Sequence, residues 1–268
     1  MNILEKIVLT KRGEIEEGKK VTAMERFSSE GPYWNQPSRS LVRNLQAEDA
    51  TGIIGEFKRK SPSKGWFQTE QFPVSPVVDA YNRFGASGIS VLTDGPFFGG
   101  SINDLVQAKE IAKVPVLRKD FMIDEWQVAQ AKAFGADVIL LIAACLGTQE
   151  VISLARFAKS IGLEVLLEIH NEDELGHICD EIDLVGVNNR NLKTFEVDIR
   201  TSLRLIESIP SSKLAISESG ISSVDAINTL RKAGYKGFLV GENFMKEDDP
   251  GKAFGAFTGM LEGARKGV

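Results

Sequence analysis

Glu56 and Lys58 lie two residues apart at the end of a short apolar run, Gly52-Ile53-Ile54-Gly55-Glu56-Phe57-Lys58. An extended chain points alternate side chains to opposite sides, so this acid and this base share one face. A carboxylate beside an ammonium at a strand end is either a costly ion pair or the floor of a proton-transfer site. The pattern recurs along the chain. Lys119 follows Val116-Leu117-Arg118, Glu168 follows Val165-Leu166-Leu167, and Asn188 with Arg190 follows Val185-Gly186-Val187. Glu218-Ser219-Gly220 and Gly241-Glu242 end two later apolar runs. Carboxylates and lysines gathered in this way point to acid–base chemistry.

Each residue also has an ordinary reading. Lys119 alone is more often a solvated strand end, Glu168 a structural ion pair, and Phe98 and Phe121 plain core. Arg59 and Lys60 read as an exposed basic edge, and Arg118 and Asp120 face away from Lys119 toward flanking helices. Other chemistries lack residues: His170 and His177 have no metal-ligand spacing with Cys145 and Cys179, and no nucleophile elbow, P-loop or redox-cofactor motif is present.

Eight β-like runs must position these groups: Gly52–Phe57, Gly88–Thr93, Pro115–Arg118, Asp137–Ile142, Glu164–Ile169, Leu184–Val187, Lys213–Ser217 and Gly237–Val240. Their near-continuous apolar character fits strands buried on both faces. Amphipathic helical segments separate them: Val77–Phe84, Ile102–Ala112, Asp124–Phe134, Thr148–Ile161, Ile199–Ile209 and Val224–Ala233, with a short helix in Asp173–Asp180. Gly85, Gly135, Gly162 and Gly234 suit left-handed helix ends. The count and alternation predict an α/β fold, a single (β/α)8 TIM barrel over residues 52–268. A doubly wound open sheet is the competing architecture, and its glycine fingerprint is absent. Residues 1–51, helical in Ile3–Ile15 and again around Pro37–Leu45, are expected to form an extension packed on the barrel or lidding its mouth.

In a barrel the chemistry belongs at the C-terminal strand ends, and the loops after the last two strands commonly bind phosphate. Those loops read Ser219-Gly220-Ile221-Ser222 and Gly241-Glu242-Asn243, while Ser61 in the first loop adds a hydroxyl. A net charge of −5 argues against a general nucleic-acid surface, so the Lys/Arg cluster at 58–64 points to a small anion. Neither a signal peptide nor an apolar run of ~20 residues is seen, which predicts no membrane span and a cytoplasmic location.

Glu56-Phe57-Lys58-Arg59-Lys60-Ser61-Pro62-Ser63-Lys64-Gly65, Leu117-Arg118-Lys119-Asp120-Phe121, Leu167-Glu168-Ile169-His170-Asn171, Gly186-Val187-Asn188-Asn189-Arg190-Asn191-Leu192 and Ser217-Glu218-Ser219-Gly220-Ile221 closely resemble indole-3-glycerol phosphate synthase. The resemblance is collinear from about Ile3 to Phe254. It implies ring closure, decarboxylation and dehydration of 1-(2-carboxyphenylamino)-1-deoxyribulose 5-phosphate in tryptophan biosynthesis, with no cofactor and no metal. By matching positions, it implies that Lys119 is the general acid at the ketone oxygen and Glu168 the base in dehydration. Lys58 lies beside the substrate carboxylate and shares acid duty, with the division of steps between the two lysines left open. Glu56 orients both lysines, Asn188 and Arg190 support the ring-closing region, and Glu218 with Ser219 forms a polar pair at the mouth. Ser61, Gly220, Gly241 and Glu242 take the phosphate, Glu242 through its backbone N–H only, and Phe98 and Phe121 wall the anthranilate ring. Segment Ser28–Pro37 matches the family poorly, and Gly95-Pro96-Phe97 stiffens its loop.

A phosphoribosylanthranilate isomerase-like barrel would need one acid–base pair, and the third charged group of the Glu56/Lys58/Lys119/Glu168 set argues against it. A Schiff-base aldolase using Lys119 and a non-catalytic metabolite-binding barrel compete with the synthase reading as well. Macromolecular partners are expected to be confined to weak contacts with tryptophan-pathway enzymes, and the chain is expected to carry no fused second enzyme.

Overall fold

The computed structural model describes residues 2–192 and 194–266; Met1, Lys193, Gly267 and Val268, all within the stretch expected to form the barrel and its extension, lie outside the described residues. Chain order begins with three helices, α1 (Ile3–Val21), α2 (Met24–Glu30) and α3 (Leu41–Gln46). Then come β1 (Ile53–Phe57), a hairpin of β2 (Lys60–Ser61) and β3 (Gly65–Trp66), α4 (Val74–Arg83), β4 (Gly88–Leu92), α5 (Gly95–Phe98) and α6 (Ile102–Ile111). The middle of the chain supplies β5 (Val116–Lys119), α7 (Glu125–Ala133), β6 (Val138–Ile142), α8 (Thr148–Ser160), β7 (Glu164–Ile169) and β8 (Leu184–Asn188). It ends with α9 (Arg200–Leu205), β9 (Leu214–Glu218), α10 (Val224–Ala233), β10 (Gly237–Val240), α11 (Glu242–Met245) and α12 (Pro250–Lys266).

Among the described residues, β1 and β4 to β10 pair in parallel and close into a barrel, with β1 bonded to both β4 and β10. Each strand falls within a residue or so of its predicted run. Strand alternation divides the core in two. Ile54, Leu117, Leu140, Leu166, Leu184, Ile216 and Leu239 pack with one another inside the barrel. Their neighbours Ile53, Val116, Ile139, Val165, Val185 and Phe238 join the outer core with the helices. A strand period of two then carries the inner series on from Ile54 to Glu56, Leu117 to Lys119, Leu166 to Glu168 and Ile216 to Glu218. The polar strand ends therefore face the barrel axis because the apolar residues two positions earlier do.

The N-terminal segment splits between the barrel's two ends. Leu41 and Leu45 of α3 pack with the inner core, and Glu164 at the start of β7 accepts from Leu41 N (2.7 Å) and Val42 N (3.2 Å). That closes the end where the strands begin. At the other end Ile3, Leu4 and Ile7 of α1 line the mouth. Residues 28–37 lie elsewhere: Tyr33 N bonds Ala133 O (3.1 Å), and Trp34 packs against the cluster that Phe27 of α2 forms with Trp126 and Ala133 of α7.

Glycines end four predicted helices with φ of 77° (Gly85), 97° (Gly135), 79° (Gly162) and 122° (Gly234), the conformation that L side chains avoid. The expected helix at Asp173–Asp180 is instead a 3₁₀ segment, Glu172–His177, and α9 tightens into 3₁₀ geometry over Ile206–Ser208. Periodicity in the sequence does not reveal α2, the β2–β3 hairpin, α5, α11 or α12. Helix α12 seals the last gap of the helical ring, where Phe254 meets Tyr81 at 4.6 Å and Phe244 at 5.2 Å between ring centroids. No helix among the described residues is long and apolar enough to cross a membrane.

Candidate active site

Lys119, the last residue of β5, projects its ammonium between two acids on neighbouring parts of the barrel. Nζ lies 2.5 Å from Glu218 Oε2 and 3.2 Å from Glu168 Oε2. Both carboxylates are nearly sealed from solvent, with side chains 1% and 4% exposed. Asn188 donates from Nδ2 to Glu168 Oε1 (3.1 Å), and the register that sets Asn188 beside Glu218 places all four groups in one ring. On the β1 side, Lys58 Nζ donates to Glu56 Oε1 (2.7 Å), as their spacing required.

Two glycines make room for the acids. A Cβ on Gly186 of β8 would collide with Glu218 Oε1, and one on Gly241 would meet Glu56 Oε1 at 2.6 Å. Beyond the strands, Arg190 N bonds Asn188 Oδ1 (3.0 Å), and the Arg190 guanidinium reaches Glu242 Oε2 (3.1 Å). Ser219 takes φ of 67° and Gly220 73°, so the chain turns sharply just after Glu218. A positive φ at serine is backbone strain of the kind that gathers at functional sites.

The aromatic wall is held by the residues read as a basic edge, and for Arg59 that reading is corrected. Its guanidinium is buried, donates to both Asp104 oxygens (2.7 and 2.8 Å) and reaches Gly99 O (3.0 Å). A delocalised fork suits this bidentate buried pairing. Lys60 donates to Pro96 O (3.0 Å), and Asp94 Oδ1 caps α5 at Phe97 N (2.8 Å). The Gly95-Pro96-Phe97 stretch is thus a capped helical turn that presents Phe98 to Phe121, 5.9 Å away between centroids. Arg118 and Asp120 do face outward: Asp120 accepts from Thr93 (2.5 Å) and Arg118 (3.1 Å) and lies 3.0 Å from Lys11 of α1.

One cavity of about 530 Å³ brings together every residue singled out in the sequence: Glu56, Lys58, Ser61, Phe98, Lys119, Phe121, Glu168, Asn188, Arg190, Glu218, Ser219, Gly220, Gly241 and Glu242. One expected relationship differs: Glu56 pairs with Lys58, while the direct ion-pair partners of Lys119 are Glu218 and Glu168. The Glu242 side chain is engaged by Arg190, which leaves its backbone N–H to face the mouth separately. Lys64, part of the 58–64 cluster read as pointing to a small anion, lines the cavity, whereas Lys246 and the α1 residues in its wall belong to no motif. His170, which lacks metal-ligand spacing, nonetheless places its Nε2 3.2 Å from Glu168 Oε1.

Electrostatics separates the three buried groups. Burial opposes the Lys119 charge, but Glu218, Glu168 and Glu56 outweigh it and raise its pKa. Burial likewise penalises the Glu168 carboxylate, yet Lys119, His170 and Asn188 draw its pKa well below the usual carboxylate range. For Glu218 burial prevails over Lys119 and, with the neighbouring Glu168 charge, lifts the carboxyl to about 7. One ammonium thus serves two acids, one held ionised and one poised to titrate near neutrality. A committed base beside an acid–base group tuned to neutral pH can carry out proton transfers in both directions.

A family model described as indole-3-glycerol phosphate synthase matches residues 4–257. Relatives named indole-3-glycerol phosphate synthase cover nearly all of the chain. That of Bacteroides thetaiotaomicron is 47% identical over 261 residues, 97% of this chain and 99% of its own. Those of Burkholderia vietnamiensis and Polaromonas naphthalenivorans are 41% and 42% identical, over 94% and 96% of this chain and 97% and 99% of theirs. Among solved structures, 3-hexulose-6-phosphate synthase from Salmonella typhimurium aligns with a TM-score of 0.62 at 13% identity, over 79% of this chain and 99% of that one. Tryptophan synthase subunit alpha from Legionella pneumophila aligns at 0.61 and 14%, over 85% and 97%. At such identities these two likenesses concern the fold alone.

Proposed function

The chain belongs to the indole-3-glycerol phosphate synthase family and catalyses that family's ring closure, decarboxylation and dehydration in tryptophan biosynthesis, and from this premise we propose how its residues divide the work. The observation that carries the reading is Lys119 Nζ held 2.5 and 3.2 Å from Glu218 and Glu168 inside the mouth.

Ring closure drives an aromatic carbon onto the ketone of the ribulose chain, and negative charge develops on the ketone oxygen. Lys119 gives that oxygen its proton. An ammonium whose charge is strongly held donates only to something more basic, and the developing alkoxide is such an acceptor. Glu218 is the nearest group to Lys119 and titrates near neutrality, which suits it to return the proton between turnovers.

Loss of the carboxylate restores the aromatic ring. Lys58 faces that carboxylate but is shared with Glu56, so it orients the group without binding it so tightly that its departure is slowed. Glu168, fixed by Asn188 and kept ionised, removes the proton in the dehydration while Lys58 assists the leaving hydroxyl. Phe98 and Phe121 flank the anthranilate ring, with Arg190 and Asn188 framing the ring-closing region. Ser61, Ser219, Gly220, Gly241 and the Glu242 N–H hold the phosphate, with Lys64 and Lys246 as additional cations.

The same reading takes residues 1–268 as one barrel domain with residues 1–51 as its extension, acting in the cytoplasm on a small phosphorylated substrate, without nucleic acid or membrane and with at most weak contact to other pathway enzymes. Single turnovers of Glu168→Gln test the division of labour. Carbon dioxide should be released in amounts matching the enzyme while indole absorbance stays absent; indole formed at the wild-type rate would overturn the base assignment.

A further inference from the structure

His170 sits on the partition between two cavities. Glu168 lines the mouth of about 530 Å³, whereas His170 lines a second cavity of about 590 Å³, and Asn188 and Arg190 border both. Its ring lies between two carboxylates: Nε2 is 3.2 Å from Glu168 Oε1, and Nδ1 is 3.2 Å from Glu174 Oε2. Glu174 is itself anchored, accepting from His170 N (2.7 Å) and Asn171 Nδ2 (3.0 Å).

We infer that His170 is a positioning residue for Glu168, a second support that fixes the carboxylate oxygen turned away from Lys119 and holds its charge from behind. Lys119 touches Oε2, whereas Asn188 and His170 approach Oε1, so the two oxygens are held by different groups. A neutral imidazole has one bare nitrogen, which would face a carboxylate's lone pairs; only the imidazolium suits acids on both sides. Nε2 faces Glu168 Oε1 at 3.2 Å, and its N–H and its charge together draw the Glu168 pKa down. Burial disfavours that charge, but Glu168 and Glu174 outweigh it and push the ring up to about 10.

The titratable groups facing the ring are Glu168 on β7 and Glu174 on the 3₁₀ segment. Lys119 stands behind Glu168, and Arg190, Arg204, Glu196 and Asp198 lie across the second cavity. None of these additional acids contacts the ring directly. Removing the imidazolium therefore leaves Glu168 with Lys119 as its one directly paired cation among the described residues.

This inference rests on Glu168 being the base in dehydration. The test is the pH dependence of indole formation in single turnovers of wild type, His170→Gln, His170→Leu and Glu168→Gln. Loss of an adjacent cation should raise the Glu168 pKa from well below the usual carboxylate range toward it, so in both His170 variants dehydration should fall off at a higher pH than in wild type, in single turnovers extended down to about pH 4. KM should stay within about twofold of wild type, since charge on Glu168 and not substrate grip is lost. His170→Gln, which keeps a donor, should retain more of the plateau rate than His170→Leu, which should lose about tenfold. If His170→Leu fails to fold by circular dichroism, His170→Gln decides. Folded His170 variants with the wild-type pH profile, beside an inactive Glu168→Gln, would overturn this inference alone. A fully active Glu168→Gln would remove the base assignment and the inference together.

Discussion

Burial lowers the Lys119 pKa, and the carboxylates around it more than reverse that shift. Breaking the arrangement should be costly on both counts. Glu218→Gln removes the group 2.5 Å from Lys119 together with the ionisation near 7, so kcat should fall about 100-fold and lose its neutral-pH dependence, with KM changed less. Steady-state kinetics from pH 5.5 to 8.5, a range chosen to bracket ~7, would reveal both effects. His170 carries a stability signature as well. Its folded pKa, about 10, exceeds its ordinary 6.5, so its ion cluster contributes fully below pH 6.5 and is lost as pH rises through 10. The stability gap between wild type and His170→Gln, read from urea unfolding, should therefore shrink from mildly acidic to strongly alkaline buffer. Lys119, Glu168 and Glu218 were legible in the sequence because each ends an apolar strand run. His170 was not: it lies two residues past Glu168, and its relation to Glu174 exists only once the intervening turn has folded.

At the level of elements, alternation along a strand makes one decision for both packing and chemistry. Leu166 points inward, so Glu168 does too, and Gly186 on the paired strand leaves the space that Glu218 occupies. Gly186→Ala should press a methyl group against the Glu218 carboxylate, costing about 1–3 kcal/mol and lowering kcat. Thermal unfolding and kcat, measured on the same preparation, would show whether the two effects travel together. The eight strands could be read from their apolar, β-branched runs, and several of their helices from the glycines that end them. The β2–β3 hairpin and α5 could not, because Arg59 fastens them through Asp104 and Gly99, partners distant in sequence. For the same reason Arg59 looked like an exposed edge: a buried guanidinium is recognisable only beside its partner.

Across the whole molecule, stability and chemistry occupy opposite ends of the barrel. Helix α3 plugs the end where the strands begin, whereas the loops after the strands and the start of α1 build the mouth. Leu41→Ala in the plug should cost about 2–5 kcal/mol of stability, yet leave KM and kcat near wild type while the protein stays folded. Differential scanning calorimetry with parallel kinetics would check this separation. The barrel was legible from the count and order of its runs, but the placement of α1 at the mouth and α3 at the base was not, since both read as amphipathic helices before β1. Most of the chemistry depends on Lys119 as the proton donor at the mouth. The most direct measurement is indole fluorescence after adding 1-(2-carboxyphenylamino)-1-deoxyribulose 5-phosphate to wild type and to folded Lys119→Ala. The predicted result is a steady rise with wild type and a loss of at least about 100-fold in the variant. Turnover by Lys119→Ala at a rate close to wild type would contradict Lys119 as the donor.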